Sequence, residues 1–483
     1  MADASWDVLV VGGGAAGMTA ARAAAAEGAR PLLVERDPAL GGECTYVGCV
    51  PSKAIIEVAK LYWAMRRAER WGIRTDGLRL DFASLMAHKD AVIADIARDE
   101  RSEVFEEAGV AVRHGELRFT GSHEAVIDGN ALRFDHAVIA TGSDPFVPPG
   151  IGLEAVPHLT NESVFSLTAL PSRLVVLGGG PIGLELGQAF GRLGSRVTVL
   201  HSGERLLAKE DPEVGALVAE LLAGEGLDVR LGARADAIAR DDDGITVRYS
   251  GQDGQATVRA DAVLVAAGRR PRVAEMGLEA LGVACGVRGV GVDVRMRTSA
   301  SHVFAAGDVT GGHLFTHVAA YEGRIAGQNA AGRKQKADYR VVPWVTFLDP
   351  EVARVGLTES QAREAHGAIE VIRFPMSRVD RARMLGEPVG FIKLIVAGRR
   401  VVGRRGGGEI VGAHIVGPHA GEMLHEVVLA MQARVFAGRL AQAIHAYPTT
   451  SMGVQQAASQ LFPIGRALAA AGEFIDLPST GTE

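Results

Sequence analysis

Trp6-Asp7-Val8-Leu9-Val10-Val11-Gly12-Gly13-Gly14-Ala15-Ala16-Gly17 is the stretch whose reading decides the fold. An apolar, β-branched run stops at glycines, an Ala-rich helical stretch follows, and Pro31-Leu32-Leu33-Val34-Glu35 resumes the strand pattern. Strand, glycine turn, helix and strand make the mononucleotide-binding βαβ unit. Its first glycine allows the tight turn, its second lets a pyrophosphate approach the backbone, and its third lets helix and strand pack closely. The helix N-terminus then faces the phosphates.

The pattern occurs twice. Leu174 to Leu177 leads into Gly178-Gly179-Gly180-Pro181-Ile182-Gly183, then helical Leu184 to Leu193, then Arg196-Val197-Thr198-Val199-Leu200-His201. One such glycine motif is weak evidence, but two copies in the same strand and helix context point to two bound dinucleotides. The carboxylate that binds a ribose hydroxyl normally ends the second strand of the unit. Glu35 stands there in the first copy and His201 in the second.

Further apolar strands end in small-residue turns, Ala137 to Gly142 with Thr141 and Gly142, and Val263 to Arg269 with Gly268. A third, Val303-Phe304-Ala305-Ala306-Gly307-Asp308, ends in an acid suited to a ribityl or ribose hydroxyl, with a helix cap as the alternative. Past about residue 345 the pattern changes to strands at 390–396 and 410–416 and a helix at 420–433, an α+β domain. The loop 398–408, with Arg399, Arg400, Arg404 and Arg405, reads as a solvated hairpin.

A chain of 483 residues needs two to four domains. A net charge of −6 offers no basic field for nucleic acid or an anionic membrane. No basic leader precedes the first strand, and no apolar run is long enough to span a bilayer. With only three cysteines, a reducing cytoplasm is the expected setting, and a disulfide there is catalytic rather than structural. Cys285 stands apart and is expected to be a buried, inert thiol.

The chemistry is expected in Gly41-Gly42-Glu43-Cys44-Thr45-Tyr46-Val47-Gly48-Cys49-Val50-Pro51-Ser52-Lys53. Cys44 and Cys49 would close so short a ring that a disulfide restrains the unfolded chain little, which suits exchange rather than stability. A thiol at a helix start has its pKa lowered by the helix dipole. Zinc would need more ligands than this stretch offers.

With this motif the chain resembles the flavoprotein disulfide reductases over nearly its whole length. The resemblance implies an α/β fold with two Rossmann-like dinucleotide-binding domains and a C-terminal α+β dimerisation domain. It implies an FAD-binding domain at 1–150, an NAD(P)H-binding domain at 151–275, a central domain at 276–345 that completes the FAD site, and a dimerisation domain at 346–483. FAD would be held by Gly12, Gly14, Gly17, Glu35, Gly42, Thr141, Gly142 and Asp308. The nicotinamide dinucleotide would be held by Gly178, Gly180, Gly183, His201, Arg205 and Gly268. Cys49 would face the flavin as a thiolate, Cys44 would exchange with the acceptor, and Lys53 and Glu185 would form an ion pair near the flavin. The partners implied are a second copy of the chain and a small-molecule or metal-ion electron acceptor.

His201 and the nearby Arg205 would not repel a 2′-phosphate, so NADPH is favoured, with NADH the alternative because Glu204 lies between them. The disulfide-reducing members have a C-terminal His-Pro-Thr-x-x-Glu run whose His and Glu serve the exchange thiol as acid and base. Here the run is Tyr447-Pro448-Thr449-Thr450-Ser451-Met452. A phenol with a pKa of about 10 shuttles protons poorly at neutral pH, and a thioether cannot. His445 is the candidate substitute, with packing or solvent exposure as alternatives. Mercuric reductase also has Tyr in this place, but it delivers its metal through a C-terminal cysteine pair, which the sequence lacks after Cys285. The acceptor expected is one that needs little protonation: a metal ion, a quinone, a small reactive disulfide or oxygen. Two other readings are a thioether-cleaving, carboxylating relative and a non-catalytic flavin redox sensor.

Overall fold

The computed structural model describes residues 5–252, 254–398, 405–463 and 465–467. Contacts divide the chain into two compact units, Met1–Glu204 with Leu222–Asp338, and Arg205–Leu221 with Tyr339–Glu483.

In the first unit the opening strand, Ser5–Val11, is flanked in parallel by Pro31–Glu35 and Asn130–Ile139. Ala111–His114 continues the parallel sheet beyond Pro31–Glu35, and Val303–Ala305 also pairs in parallel with Asn130–Ile139. Glu124–Ile127 and Leu117–Gly121 add an antiparallel edge. Val8, Leu9 and Val10 are fully buried, as strands covered on both faces require. The alanines of the helix Ala15–Ala26 are explained by its neighbour, the helix Thr316–Ala330. A Cβ on Gly323 or Gly327 would stand 2.1 Å from the carbonyl oxygen of Ala16 or Ala20, so the two backbones touch through small residues.

The second glycine motif opens a four-stranded parallel sheet, ordered Asp228–Leu231, Arg196–His201, Arg173–Leu177, Ala262–Val265. An antiparallel sheet of Arg234–Asp241, Gly244–Gly251 and Gly254–Ala260 packs Ile245, Val247 and Tyr249 against Val175, Leu177 and Val263. Its strands interleave charged residues with apolar ones, and sequence reading did not separate them from loop.

The second unit holds an antiparallel sheet ordered Pro343–Thr346, Glu351–Gly356, Glu409–Gly417, Phe391–Ala397, Ile369–Pro375. The expected strands and helix are present within a residue, as Phe391–Ala397, Glu409–Gly417 and Ala420–Gln432. Arg354, His414 and Lys393 are neighbours across three strands and are buried. Acids just before and within the helix Pro212–Gly224 meet them: Lys393 lies 2.9 Å from Asp211 and 2.8 Å from Glu213, and His414 lies 3.3 Å from Glu210.

Cys285 corrects an expectation, because it is exposed rather than buried, on a two-residue strand paired with Gly289–Val290. Arg399, Arg400 and Arg404 lie outside the described residues. No helix among the described residues is long and apolar enough to cross a membrane.

Candidate functional site

The two glycine turns repeat each other atom for atom in what they exclude. Gly12 and Gly178 have φ of +107° and +128°, and a Cβ there would meet the Ala140 or Ala266 carbonyl oxygen at 2.4 or 2.2 Å. A Cβ on Gly17 or Gly183 would meet the oxygen of Gly12 or Gly178 at 1.7 or 2.5 Å. Around the middle glycines, Gly14 and Gly180, a Cβ would meet nothing within 4 Å. Those two glycines are the N-caps of Ala15–Ala26 and Pro181–Leu193, neither of which has a side-chain cap. Helix N–H groups facing open space suit a pyrophosphate, so both turns fit the dinucleotides the family resemblance implies.

Each turn is also braced from the end of its second strand. Glu35 Oε2 accepts from the Gly13 N–H at 2.5 Å, and His201 Nδ1 accepts from the Gly179 N–H at 3.1 Å. The imidazole thus takes the carboxylate's place and keeps its proton on Nε2. Gly42 packs on the first turn, since a Cβ there would stand 2.9 Å from Gly14 Cα. Gly142 and Gly268 hold positive φ with no atom within 4 Å of a Cβ, and Thr141 donates to the Arg272 carbonyl at 2.8 Å.

Asp308 is no helix cap. It opens the short turn Asp308–Thr310, whose cap position is Gly307, and its Oδ2 accepts from Ser143 Oγ at 2.6 Å. Arg269 lies 3.6 Å from the same carboxylate, donates to the Ser143 carbonyl at 2.8 Å and pairs with Glu43. Arg272 lies 3.6 Å from Glu43. Burial raises the Glu43 pKa, and the two guanidiniums hold it back. Glu43 and Arg269 were not singled out from sequence. The signal available was an acid directly before the first cysteine and an arginine directly after Gly268.

Cys44 lies in the short helix Gly42–Tyr46, and Cys49 opens the 18-residue helix Cys49–Arg66. Both are free thiols. Cys49 is lowered to about 6, chiefly by a hydrogen bond from the Cys44 thiol, with burial opposing and with Thr316 and the Lys53 charge assisting. Cys44 is driven far the other way by that same bond and by burial. The charge of a reduced pair therefore rests on Cys49. Lys53 Nζ pairs with Glu185 Oε2 at 2.8 Å, joining the cysteine helix to the helix Pro181–Leu193. Among the described residues no group of three or more His, Cys, Asp or Glu could hold a metal ion.

The C-terminal candidates belong to the second unit, as does Arg205. Tyr447 is 65% exposed, and its hydroxyl lies 3.3 Å from Asp380 Oδ2. His445 has Nε2 at 2.8 Å from Glu426 Oε2 and Nδ1 at 3.0 Å from the Ala443 carbonyl. The carbonyl accepts, as does Glu426 when ionised, so this arrangement favours protons on both ring nitrogens. Burial pulls the His445 pKa down, but Glu426 and the carbonyl outweigh it and the net shift is upward. Both ring nitrogens of His445 are thus engaged within the second unit.

The sequence matches the pyridine nucleotide-disulphide oxidoreductase family over residues 6–323 and the dimerisation domain of that family over 342–458. It is 35% identical to dihydrolipoyl dehydrogenase of Geobacillus stearothermophilus over 457 residues, covering 94% of this chain and 95% of that one. It is 36% identical to mercuric reductase of Streptomyces lividans over 468 residues, covering 95% and 96%. Among solved structures, the Cu(II) complex of the HOCl-induced flavoprotein disulfide reductase RclA from Escherichia coli matches with a TM-score of 0.81 at 28% identity, covering 92% of this chain and 98% of that one. Enzymes of this family bind FAD and use a pyridine nucleotide. Since its nucleotide-binding part and its dimerisation domain are both matched, the chain belongs to the pyridine nucleotide-disulphide oxidoreductase family.

Proposed function

We propose that the protein is a homodimeric, FAD-dependent NADPH oxidoreductase that passes electrons through Cys44 and Cys49 to a thiophilic metal ion. The observation that carries this reading is the replaced acid-base pair, Tyr447 and Met452, together with His445, whose ring nitrogens are both engaged, by Glu426 and the Ala443 carbonyl. A disulfide acceptor leaves as a thiolate that must be protonated, whereas an ion bound by thiolates takes electrons and needs no proton. Two similar proteins, a mercuric reductase and the Cu(II) complex of RclA, support the same class of acceptor.

FAD, when bound, would supply the chemistry that links the nicotinamide hydride to the cysteine pair. Domain 1–150 is assigned to FAD, 151–275 to NADPH, 276–345 to completing the FAD site and 346–483 to dimerisation. Glu35 is assigned to the adenosine ribose and Asp308 to the ribityl-phosphate region. Gly12, Gly14, Gly17, Gly42, Thr141 and Gly142 line the backbone approach. Gly178, Gly180, Gly183 and Gly268 serve the nicotinamide dinucleotide. His201, with its proton on Nε2, and Arg205 are assigned to the 2′-phosphate. Lys53, oriented by Glu185, stabilises the Cys49 thiolate, and Cys44 captures the acceptor. Two electrons leave the dithiol as the sulfurs join. An ion reduced to its neutral atom uses both, and for an ion with a one-electron couple two ions are each reduced once.

The test is steady-state NADPH consumption with Cu(II), glutathione disulfide, lipoamide, a quinone and oxygen as separate acceptors. The reading expects Cu(II) turnover that is lost in Cys44→Ser. Turnover with glutathione disulfide or lipoamide exceeding that with Cu(II) would overturn it.

A further inference from the structure

We infer that Thr316 is a positioning residue for the redox pair: its hydroxyl is one rotating hydrogen-bond donor shared by both sulfurs, following the negative charge from Cys49 to Cys44. Thr316 Oγ1 lies 3.4 Å from Cys49 Sγ and 3.3 Å from Cys44 Sγ, so a single torsion serves either. The hydroxyl is not committed elsewhere by helix capping. Thr316 is the first residue of Thr316–Ala330, and the cap position, Phe315, makes no side-chain cap bond.

The placement also adds a second helix N-terminus to the site. Cys49 is the first residue of its own helix, whose cap, Gly48, has no side chain to offer. Two helix starts and one hydroxyl therefore lie at the redox pair, and a helix dipole and a donated hydrogen bond both favour a thiolate over a thiol. A threonine hydroxyl has one proton to give and two lone pairs to accept with. While Cys49 is the thiolate, the hydroxyl donates to it beside the Cys44 S–H, which donates to the same sulfur. Once Cys44 gives up its proton to solvent and binds the acceptor, the hydroxyl turns to Cys44. Threonine itself gains and loses no proton. In a chain without the His-Glu pair this hydroxyl supplies part of the stabilisation the attacking sulfur needs.

The inference rests on the reading of Cys44 and Cys49 as a dithiol-disulfide couple. Its test reads thiolates rather than turnover, so failure of the metal-acceptor reading leaves it standing. The dithiothreitol-reduced holoprotein is alkylated with iodoacetamide from about pH 5 to 9 under argon, and modification of Cys44 and Cys49 is followed separately by peptide mass spectrometry. Thr316→Val removes the hydroxyl at nearly constant shape and is expected to lower the Cys49 thiolate fraction near pH 6 by roughly tenfold, while Thr316→Ser keeps the wild-type profile. Thr316→Ala carries the same expectation as Val and replaces it if the valine variant fails to fold. The long-wavelength thiolate-to-flavin absorbance should titrate in parallel. A Val or Ala profile superimposed on wild type overturns the inference, and so does a Ser profile displaced as far as Val.

Discussion

Replacing Cys44 separates the contribution of its thiol proton to the Cys49 charge from everything else around that sulfur. Cys49 titrates at about 6, against about 8.5 for an ordinary thiol, and the Cys44 hydrogen bond is the largest cause. A hydrogen bond to a charged group is worth roughly 1.5–3 kcal/mol, or about one to two pH units. Cys44→Ala should therefore raise the Cys49 midpoint to about 7–8, while Cys44→Ser, which keeps an O–H in the same place, should raise it by less than about one unit. Near pH 7 the wild type is then roughly nine-tenths thiolate at Cys49, and the alanine variant about half or less. The assay is pH titration of the long-wavelength thiolate-to-flavin absorbance. Neither variant can form the disulfide, so in both the band should appear without reductant, whereas wild type requires anaerobic two-electron reduction. An alanine midpoint still near 6, or a serine midpoint as high as alanine, would refute the assignment of the charge to the Cys44 proton.

The Lys53–Glu185 pair is unequal, with the lysine side chain 32% exposed and the glutamate 7%, so Lys53→Met should cost about 3 kcal/mol and Glu185→Gln clearly less, by denaturant unfolding of holoprotein. Equal costs would contradict the burial argument. His445 has a raised folded pKa, so its contribution to stability is full below about 6.5 and is lost as pH rises through the folded value. The folded pKa of Glu426 is also raised, through burial with His445 opposing, and this too makes stability fall as pH rises, starting near pH 4. The melting-temperature gap between wild type and His445→Gln should accordingly shrink between about pH 6 and 9, and a widening gap would reverse the sign. His201→Glu places at the second turn the residue that braces the first, and should raise KM for NADPH while lowering it for NADH; a parallel change in both would remove His201 from nucleotide choice. Tyr447→His with Met452→Glu should raise glutathione disulfide turnover by up to roughly a hundredfold with flavin reduction unchanged in stopped flow. No gain would show that more than the dyad is missing.

What sequence made legible here is what is local. A glycine turn announces itself because the close approaches at Gly12, Gly17, Gly178 and Gly183 forbid any Cβ, and the strand and helix around it carry their own periodicity. The cysteine motif was equally plain, including the helix that begins at Cys49. Lys53, inside the motif, was legible too, but Thr316 and the Arg269 partner of Glu43 were not, because they arrive from far along the chain. Thr316 is 267 residues from Cys49, Arg269 is 226 from Glu43, and neither interval has a periodicity that betrays it. Cys285 was misread because a cysteine standing apart is most often a buried thiol, while the two-residue strand it occupies lies at the surface. His445 was legible as a nearby imidazole, but not its engagement by Glu426 on the helix Ala420–Gln432, which raises its pKa.

The most direct test of the central claim is the oxidative half-reaction measured alone. Protein reduced anaerobically with one equivalent of NADPH is mixed in a stopped-flow instrument with Cu(II) or with glutathione disulfide, and loss of the thiolate-to-flavin absorbance is followed. The account predicts reoxidation by Cu(II) at least about a hundredfold faster than by the disulfide at equal concentration, with the Cu(II) phase absent in Cys44→Ser. Reoxidation by glutathione disulfide as fast as by Cu(II) would mean that a working acid-base group serves Cys44 after all, and the claim would fail.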